Sequence, residues 1–276
     1  MLVLSATPIP RTLALIMYGD LDISVIDEVP SHKLPIKNAV VNESFRQKAY
    51  EFMEKEIRAH HQVYVICPLI EASEGLDVRN VTDTAKMLSE RFAGDIRVGM
   101  LHGRMKASDK QKIMDEFANG CIDILVSTTV VEVGVNVPNA TVMMIEDADR
   151  FGLAALHQLR GRIGRGIAQS YCIFMSQSSN PNTMKRLEIL KRSNDGFKIA
   201  QEDLKQRGPG ELFGFRQSGD IRFKLGDIYT DSALLSKASE EADRILRDDP
   251  DLLRTENKRY RSALEAADLF SVSASL

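Results

Sequence analysis

Along most of the chain, short unbroken apolar runs alternate with longer stretches in which apolar side chains recur every three or four positions. From about residue 36 the order reads strand, helix, strand. Ile36 to Val41 alternates weakly and predicts a strand, and Phe45, Ala49, Phe52, Met53 and Ile57 then fall at helical spacing. Val63 to Cys67 is a short apolar strand, Val81, Ala85, Leu88 and Phe92 mark an amphipathic helix, and Ile96 to Leu101 is another strand. Ser108 and Gln111 make a capping-box pattern ahead of a helix carrying Ile113, Met114 and Phe117. Ile122 to Val126, Ala140 to Ile145 and Tyr171 to Met175 complete the strand set. Strands that are apolar throughout are covered on both faces, and strands separated by helices pair in parallel. The expectation is an α/β fold, a parallel sheet with helices on both faces, and any doubly wound domain would share this pattern.

The two ends depart from that rhythm. Leu2-Val3-Leu4 reads as the end of a core strand and runs at once into Ser5-Ala6-Thr7-Pro8, as expected of a piece of a longer chain. Arg11 to Tyr18 suits a short helix after the Pro8-Ile9-Pro10 turn, and residues 20–35 read as a linker with a short extended piece. Beyond Ser176, Pro181 to Lys191 and Phe197 to Gln206 read as two helices. A glycine-rich loop from Arg207 to Gly219 follows, then helices at 231–247 and 258–268, which makes a mainly helical C-terminal extension. The domain break is expected between Ser176 and Pro181.

Composition narrows this only a little. A length of 276 residues, 43% apolar and 27% charged, is that of an ordinary globular chain of one large or two smaller domains. No stretch reaches the length of a membrane span and no N-terminal signal pattern occurs, so no membrane partner and a cytoplasmic location are expected. A net charge of −3 neither points to nucleic acid nor excludes it, because phosphate contacts need only a local basic stripe. Cys67, Cys121 and Cys172 lie in or beside apolar runs at spacings that suit neither a zinc site nor a disulfide framework, and read as buried thiols.

Candidate chemistry concentrates between residues 128 and 166. Thr128 and Thr129 close an apolar run, Glu132, Gly134 and Asn136 follow, and a second run leads to Gln158-x-x-Gly161-Arg162-x-Gly164-Arg165. Glycines let backbone approach a phosphate, and paired guanidinium groups suit a polyphosphate. The alternative for the arginines is salt bridging to Glu146, Asp147 and Asp149. His102-Gly103 follows a strand with Arg104, Lys106 and Lys110 close by, which fits either phosphate contacts or a strand-to-helix turn with solvated lysines. No partner ligand at suitable spacing gives His102 a metal role, and no metal site is expected. Gly161-x-x-Gly164-x-Gly166 has the wrong order for a dinucleotide fingerprint. No G-x-x-x-x-G-K-[ST] phosphate loop and no DExH or DExD box occur.

Taken in order, residues 128–166 resemble motifs V and VI of superfamily 2 helicases, whose two RecA-like lobes face ATP and nucleic acid across a cleft. Ser5-Ala6-Thr7, extended by Pro8-Ile9-Pro10-Arg11-Thr12, resembles motif III of that family. Residues 5–30 resemble its RecG branch. The loop from Arg207 to Gly219 resembles the hook that ends a helical hairpin shared by the RecG and Mfd branches, and Gly208-Pro209-Gly210 with Arg216-Gln217 leans to RecG.

The resemblance implies that residues 1–30 are the tail of a first motor lobe with its linker, 31–177 a second RecA-like lobe, and 178–276 a hairpin, hook loop and C-terminal helices. It implies an ATP-dependent DNA helicase that remodels branched double-stranded DNA such as stalled forks and four-way junctions. ATP and Mg2+ would be held mainly by the first motor lobe, which with an N-terminal wedge lies outside this chain, so the chain alone is expected to hydrolyse no ATP. Arg162 and Arg165 would be arginine fingers oriented with Gln158. Ser5, Ala6, Thr7, Glu132, Gly134 and Asn136 would couple the ATP site to DNA, and His102, Gly103, Thr128 and Thr129 would touch the DNA backbone. Arg207, Arg216 and Gln217 would form the translocation hook. Asn136 stands where relatives carry Asp, which leaves a hydrogen-bonding group without charge. The apolar positions of residues 1–18 would face the first lobe, so self-association through them is expected. The competing readings are the equivalent part of an Mfd-like translocase and a non-hydrolysing nucleic-acid-binding RecA-like module.

Overall fold

The computed structural model of the chain describes residues 24, 26, 34–68, 76–92, 94–129, 136–207 and 232–266. Its strands are β1 (Lys37–Val41), β2 (Gln62–Ile66), β3 (Val98–Leu101), β4 (Ile124–Ser127), β5 (Ala140–Ile145) and β6 (Tyr171–Met175). They form one six-stranded sheet in the order β1-β6-β5-β2-β4-β3, and every pairing is parallel. The helices are α1 (Arg46–Arg58), α2 (Leu76–Arg91), α3 (Ala107–Ala118), α4 (Leu153–Arg160), α5 (Pro181–Arg192), α6 (Gly196–Arg207), α7 (Ser232–Asp248) and α8 (Lys258–Ala266). Contacts divide the chain into two units, one built on the sheet and running through α6, the other containing α7 and α8.

Side chains alternate across a strand, and here both faces are covered. On one face Val63 and Val65 of β2, Ile124 and Val126 of β4, and Val142 and Met144 of β5 pack against Met53 of α1 and Leu88 of α2. On the other face Tyr64, Ile66, Leu125, Met143 and Phe174 meet Phe117 of α3, Leu156 of α4, Leu187 and Leu190 of α5, and Ile199 of α6. That double burial is why the strand sequences read as unbroken apolar runs. Leu187, Leu190 and Ile199 are each 0–1% exposed, and each such burial contributes about 1.5–3 kcal/mol. The α5–α6 hairpin therefore belongs to the core of the sheet unit, and the change of pattern between Ser176 and Pro181 does not end that core.

Local signals act as expected at some helix starts and not at others. Asn180 caps α5 by accepting from the Asn182 amide at 2.9 Å, with Pro181 in the first turn. The Ser108–Gln111 capping box does not form. The turn after β3 closes early, Met105 N donating to His102 O at 3.2 Å, so α3 starts at Ala107 with Lys106 as its cap. Ser108 is then already inside the helix, and Gln111 donates to Asp115 at 2.8 Å instead. Cys67 and Cys172 are buried, but Cys121 is exposed because it lies in the turn joining α3 to β4, ahead of buried Ile122. In the second unit the Asp249 carboxylate accepts from Leu253 N, Arg254 N and Asn257 Nδ2, all at 2.9 Å, and so organises the link between α7 and α8.

Candidate functional site

Parallel strands present their carboxyl ends on one edge, and hydrogen bonds continue past them. Cys67 N donates to Ser127 O at 2.8 Å, Thr128 N to Leu101 O at 3.3 Å, Glu146 N to Ile66 O at 2.8 Å, and Ser176 N to Val41 O at 3.0 Å. His102, Gly103, Thr128 and Thr129 therefore share this edge, as expected. Desolvation, then the nearby Lys110 and Arg104 cations, hold the half-buried His102 imidazole below its usual pKa, so it is neutral at pH 7. Its Nδ1 is buried without a hydrogen-bond partner, and so is Oγ1 of the fully buried Thr128. An unsatisfied buried polar group costs about 1–3 kcal/mol, so two at neighbouring strand ends mark where an outside partner would be stabilised. Lys110 Nζ donates to Gly103 O at 2.6 Å, which folds that lysine over the same turn.

The second cluster is the turn after α4. Gln158 is in the last turn of α4, a helix not expected from the sequence, and Gly161 ends that helix. The signal was present, since Leu153, Leu156 and Leu159 fall on one face and all are buried. Arg162 is half-buried, Ile163 is a buried peg and Arg165 is exposed. Gly164 adopts φ 71°, in the left-handed region that favours glycine. A Cβ on Gly166 would lie 2.6 Å from the carbonyl oxygen of Pro138, so only glycine lets this turn pack against the segment leading into β5. The glycine spacing thus has a packing cause, and it fixes the backbone that carries the arginines.

Arg165 reaches Asn136 Oδ1 at 3.5 Å and Gly161 O at 3.4 Å, both at the long limit for a hydrogen bond. Its exposed guanidinium is thus only loosely held. Burial pushes the Tyr64 phenol up to about 12, against the pull of Arg165 and Arg162, which places both cations close to the central strand β2. The acids considered as salt-bridge partners are engaged elsewhere. Glu146 pairs with Arg46 at 2.6 and 2.9 Å, Asp147 lies 4.0 Å from Arg150, and Asp149 accepts from Ser176 Oγ at 2.7 Å.

One arginine escaped the sequence reading. Arg160 is 2% exposed, and its Nη1 donates to Leu190 O at 3.0 Å and Ser193 O at 2.8 Å. Those carbonyls end α5, where the helix dipole favours a cation. The next residue, Asn194, donates to Ile36 O at 2.9 Å and accepts from Asn38 at 3.0 Å, and Gln169 donates to Pro35 O at 2.8 Å. The α5–α6 corner is thereby tied both to the arginine-bearing helix and to the start of β1. An arginine four positions after Leu156, on the apolar face of α4, was the available clue.

Among the described residues no group of three or more His, Cys, Asp or Glu has metal-binding geometry, and no helix is long and apolar enough to cross a membrane. Ser5, Ala6, Thr7, the helix expected at Arg11–Tyr18, Glu132, Gly134, Arg216 and Gln217 lie outside the described residues, and Arg207 is described only as the last residue of α6.

The six-stranded parallel sheet covered by helices on both faces is a RecA-like lobe, and residues 45–166 match the family described as helicase conserved C-terminal domain. Residues 193–267 match the family described as ATP-dependent DNA helicase RecG, domain 3, C-terminal. The chain is 48% identical to the ATP-dependent DNA helicase RecG of Bacillus subtilis (strain 168) over 248 residues, 90% of this chain and 36% of that protein. It is 46% identical to the protein of the same name from Thermotoga maritima over 244 residues, 88% of this chain and 31% of that one. A solved structure of RecG bound to a three-way DNA junction superposes with a TM-score of 0.68 at 43% identity, covering 83% of this chain and 30% of that one. The chain corresponds to the C-terminal portion of the RecG proteins it matches, which favours RecG over the Mfd-like reading. It spans about a third of the length of the curated relatives it matches.

Proposed function

We propose that this chain supplies the second motor lobe and hairpin of an ATP-dependent DNA helicase that remodels branched duplex DNA. The observation that carries the reading is the arginine turn, held by close glycine packing, with the exposed Arg165 restrained only by two long contacts. Hydrolysis builds charge on the γ-phosphate, and Arg162 and Arg165, approaching from the lobe opposite the phosphate loop, offset that charge, with Gln158 orienting the group. An arginine in that role is worth about three to five orders of magnitude in rate. The strand-end edge that carries His102, Gly103, Thr128 and Thr129 meets the DNA backbone. Ser5, Ala6, Thr7, Glu132, Gly134 and Asn136 connect the two sites, and Arg207, Arg216 and Gln217 act at the hook. The names of the relatives and the junction-bound RecG structure support branched DNA as the partner.

The test uses the full-length protein with Arg162→Ala and Arg165→Ala, assayed for DNA-stimulated ATP turnover and fork binding. The expected outcome is a kcat lower by about a thousandfold in at least one variant, with fork affinity retained. Wild-type kcat in both folded variants would rule the arginine role out.

A further inference from the structure

The start of the arginine-bearing segment is held by an ion pair that plays no part in the two sites above. Arg46, the first residue of α1, donates from Nη1 to Glu146 Oε1 at 2.6 Å and from Nη2 to Glu146 Oε2 at 2.9 Å. Its Nε reaches Glu43 Oε1 at 2.5 Å, and Nη1 also reaches the Tyr50 hydroxyl at 3.0 Å. The side chains of Arg46 and Glu146 are 24% and 13% exposed. A two-pronged guanidinium–carboxylate contact fixes direction as well as distance, which a single lysine contact does not.

What Glu146 leads into gives the pair its importance. It directly follows β5, and the next residue, Asp147, has φ 44° and ψ 49°, the left-handed region that a non-glycine residue adopts at a cost. From there to the arginine turn the backbone is hydrogen bonded at each bend. Arg150 N donates to Asp147 O at 2.9 Å, Phe151 N to Ala148 O at 3.2 Å, Leu156 N to Gly152 O at 3.0 Å, and Arg162 N to Leu159 O at 2.9 Å. Ala148, Phe151, Leu153, Leu156 and Leu159 bury this stretch along its length. The segment from Glu146 to Arg162 is thus hydrogen bonded at its bends and packed along its length.

We infer that the Arg46–Glu146 pair is a latch that sets the position of α4, which makes Arg46 a positioning residue for Arg162 and Arg165. The inference rests on the proposed role of those arginines at ATP. The sheet hydrogen bond from Glu146 N to Ile66 O already closes the end of β5. The fork from Arg46 adds the orientation of Glu146 as the chain enters its left-handed turn.

The experiment compares Arg46→Lys, Glu146→Gln, Arg162→Ala and the double variant Arg46→Lys/Arg162→Ala in the full-length protein. It reads kcat and KM for ATP, fork affinity and Tm. Arg46→Lys keeps the charge and loses the fork, and Glu146→Gln keeps the shape and carries the same comparison should the lysine variant fail to fold. The expected result is a kcat lower by about ten- to a hundredfold, the cost of misplacing a reacting group by about 1 Å, with KM, fork affinity and Tm near wild type. The double variant should lose less than the product of the two single losses, because both changes act in part through Arg162. Wild-type kcat in Arg46→Lys and Glu146→Gln beside a collapsed Arg162→Ala overturns the latch and leaves the arginine role standing. So does a double variant whose loss is the product of the two single losses. Wild-type kcat in Arg162→Ala overturns the arginine role and the latch with it.

Discussion

His157 shows how a single side chain on α4 makes stability depend on pH. Burial, then the Arg160 cation, lowers its pKa to about 4, with Asp195 pulling weakly the other way. In the unfolded chain the imidazole titrates near 6.5. Between those values the unfolded chain takes up a proton that the folded chain refuses. The contribution is thus complete above about pH 6.5 and is lost as pH falls toward about 4, to a limit of about 3 kcal/mol. Replacing His157 with Gln should flatten that part of the profile, so thermal melts of the variant near pH 7 and near pH 5 should differ less than those of the wild-type chain. Parallel profiles would show that His157 carries none of the dependence. At this scale the sequence was legible for position along a strand, as with His102 and Thr128, which directly follow β3 and β4. It was not legible where exposure depends on a turn, as with Cys121, or where spacing reflects tertiary contact, as with Gly166 against Pro138.

The elements divide in the same way. Unbroken apolar runs placed β2, β5 and β6 within a residue of their observed ends, because double burial leaves a pattern that needs no partner to be read. Ile96 and Arg97 were expected in β3, which begins at Val98. Arg97 instead turns out to Asp123, its Nη2 2.9 Å from Oδ1. Helix α4 was passed over because its eight residues carry the chemical motif as well as the apolar stripe. The hairpin's contacts make it part of the sheet unit. Arg160 links α4 to that hairpin. Arg160→Met keeps much of the apolar stem and removes both donors, leaving the Leu190 and Ser193 carbonyls without that partner. The expected loss is about 2–4 kcal/mol, read by urea denaturation of the chain, with new protease cleavage near residues 193–195. A variant with wild-type stability and cleavage would mean that apolar packing alone holds the corner.

On the proposed function, the question for the whole molecule is how a change at ATP would become movement on DNA, and the hairpin is the element whose packing suits it to carry that change. Its two helices bury Leu187, Leu190 and Ile199 in the same core as the arginine-bearing helix, and Arg160 and Asn194 lock their corner to α4 and to the start of β1. A hairpin held at so many points moves with the sheet unit as one body. We hypothesise that the loop from Arg207 to Gly219 uses this motion. Gly208, Gly210, Gly214 and Gly219 allow sharp turns and close backbone approach, and Arg216 and Gln217 supply directed donors suited to phosphate oxygens or to α4 near Gln158. The alternative is a loop that only covers the lobe, with its charged side chains in water. Coupling and covering make opposite demands on full-length protein carrying Arg216→Ala and Gln217→Ala. If the loop couples, DNA-stimulated ATP turnover survives while fork unwinding collapses, so the base pairs separated per ATP hydrolysed fall sharply. If the loop only covers, the two activities fall in proportion or neither changes, and that result in a folded variant would end the coupling hypothesis.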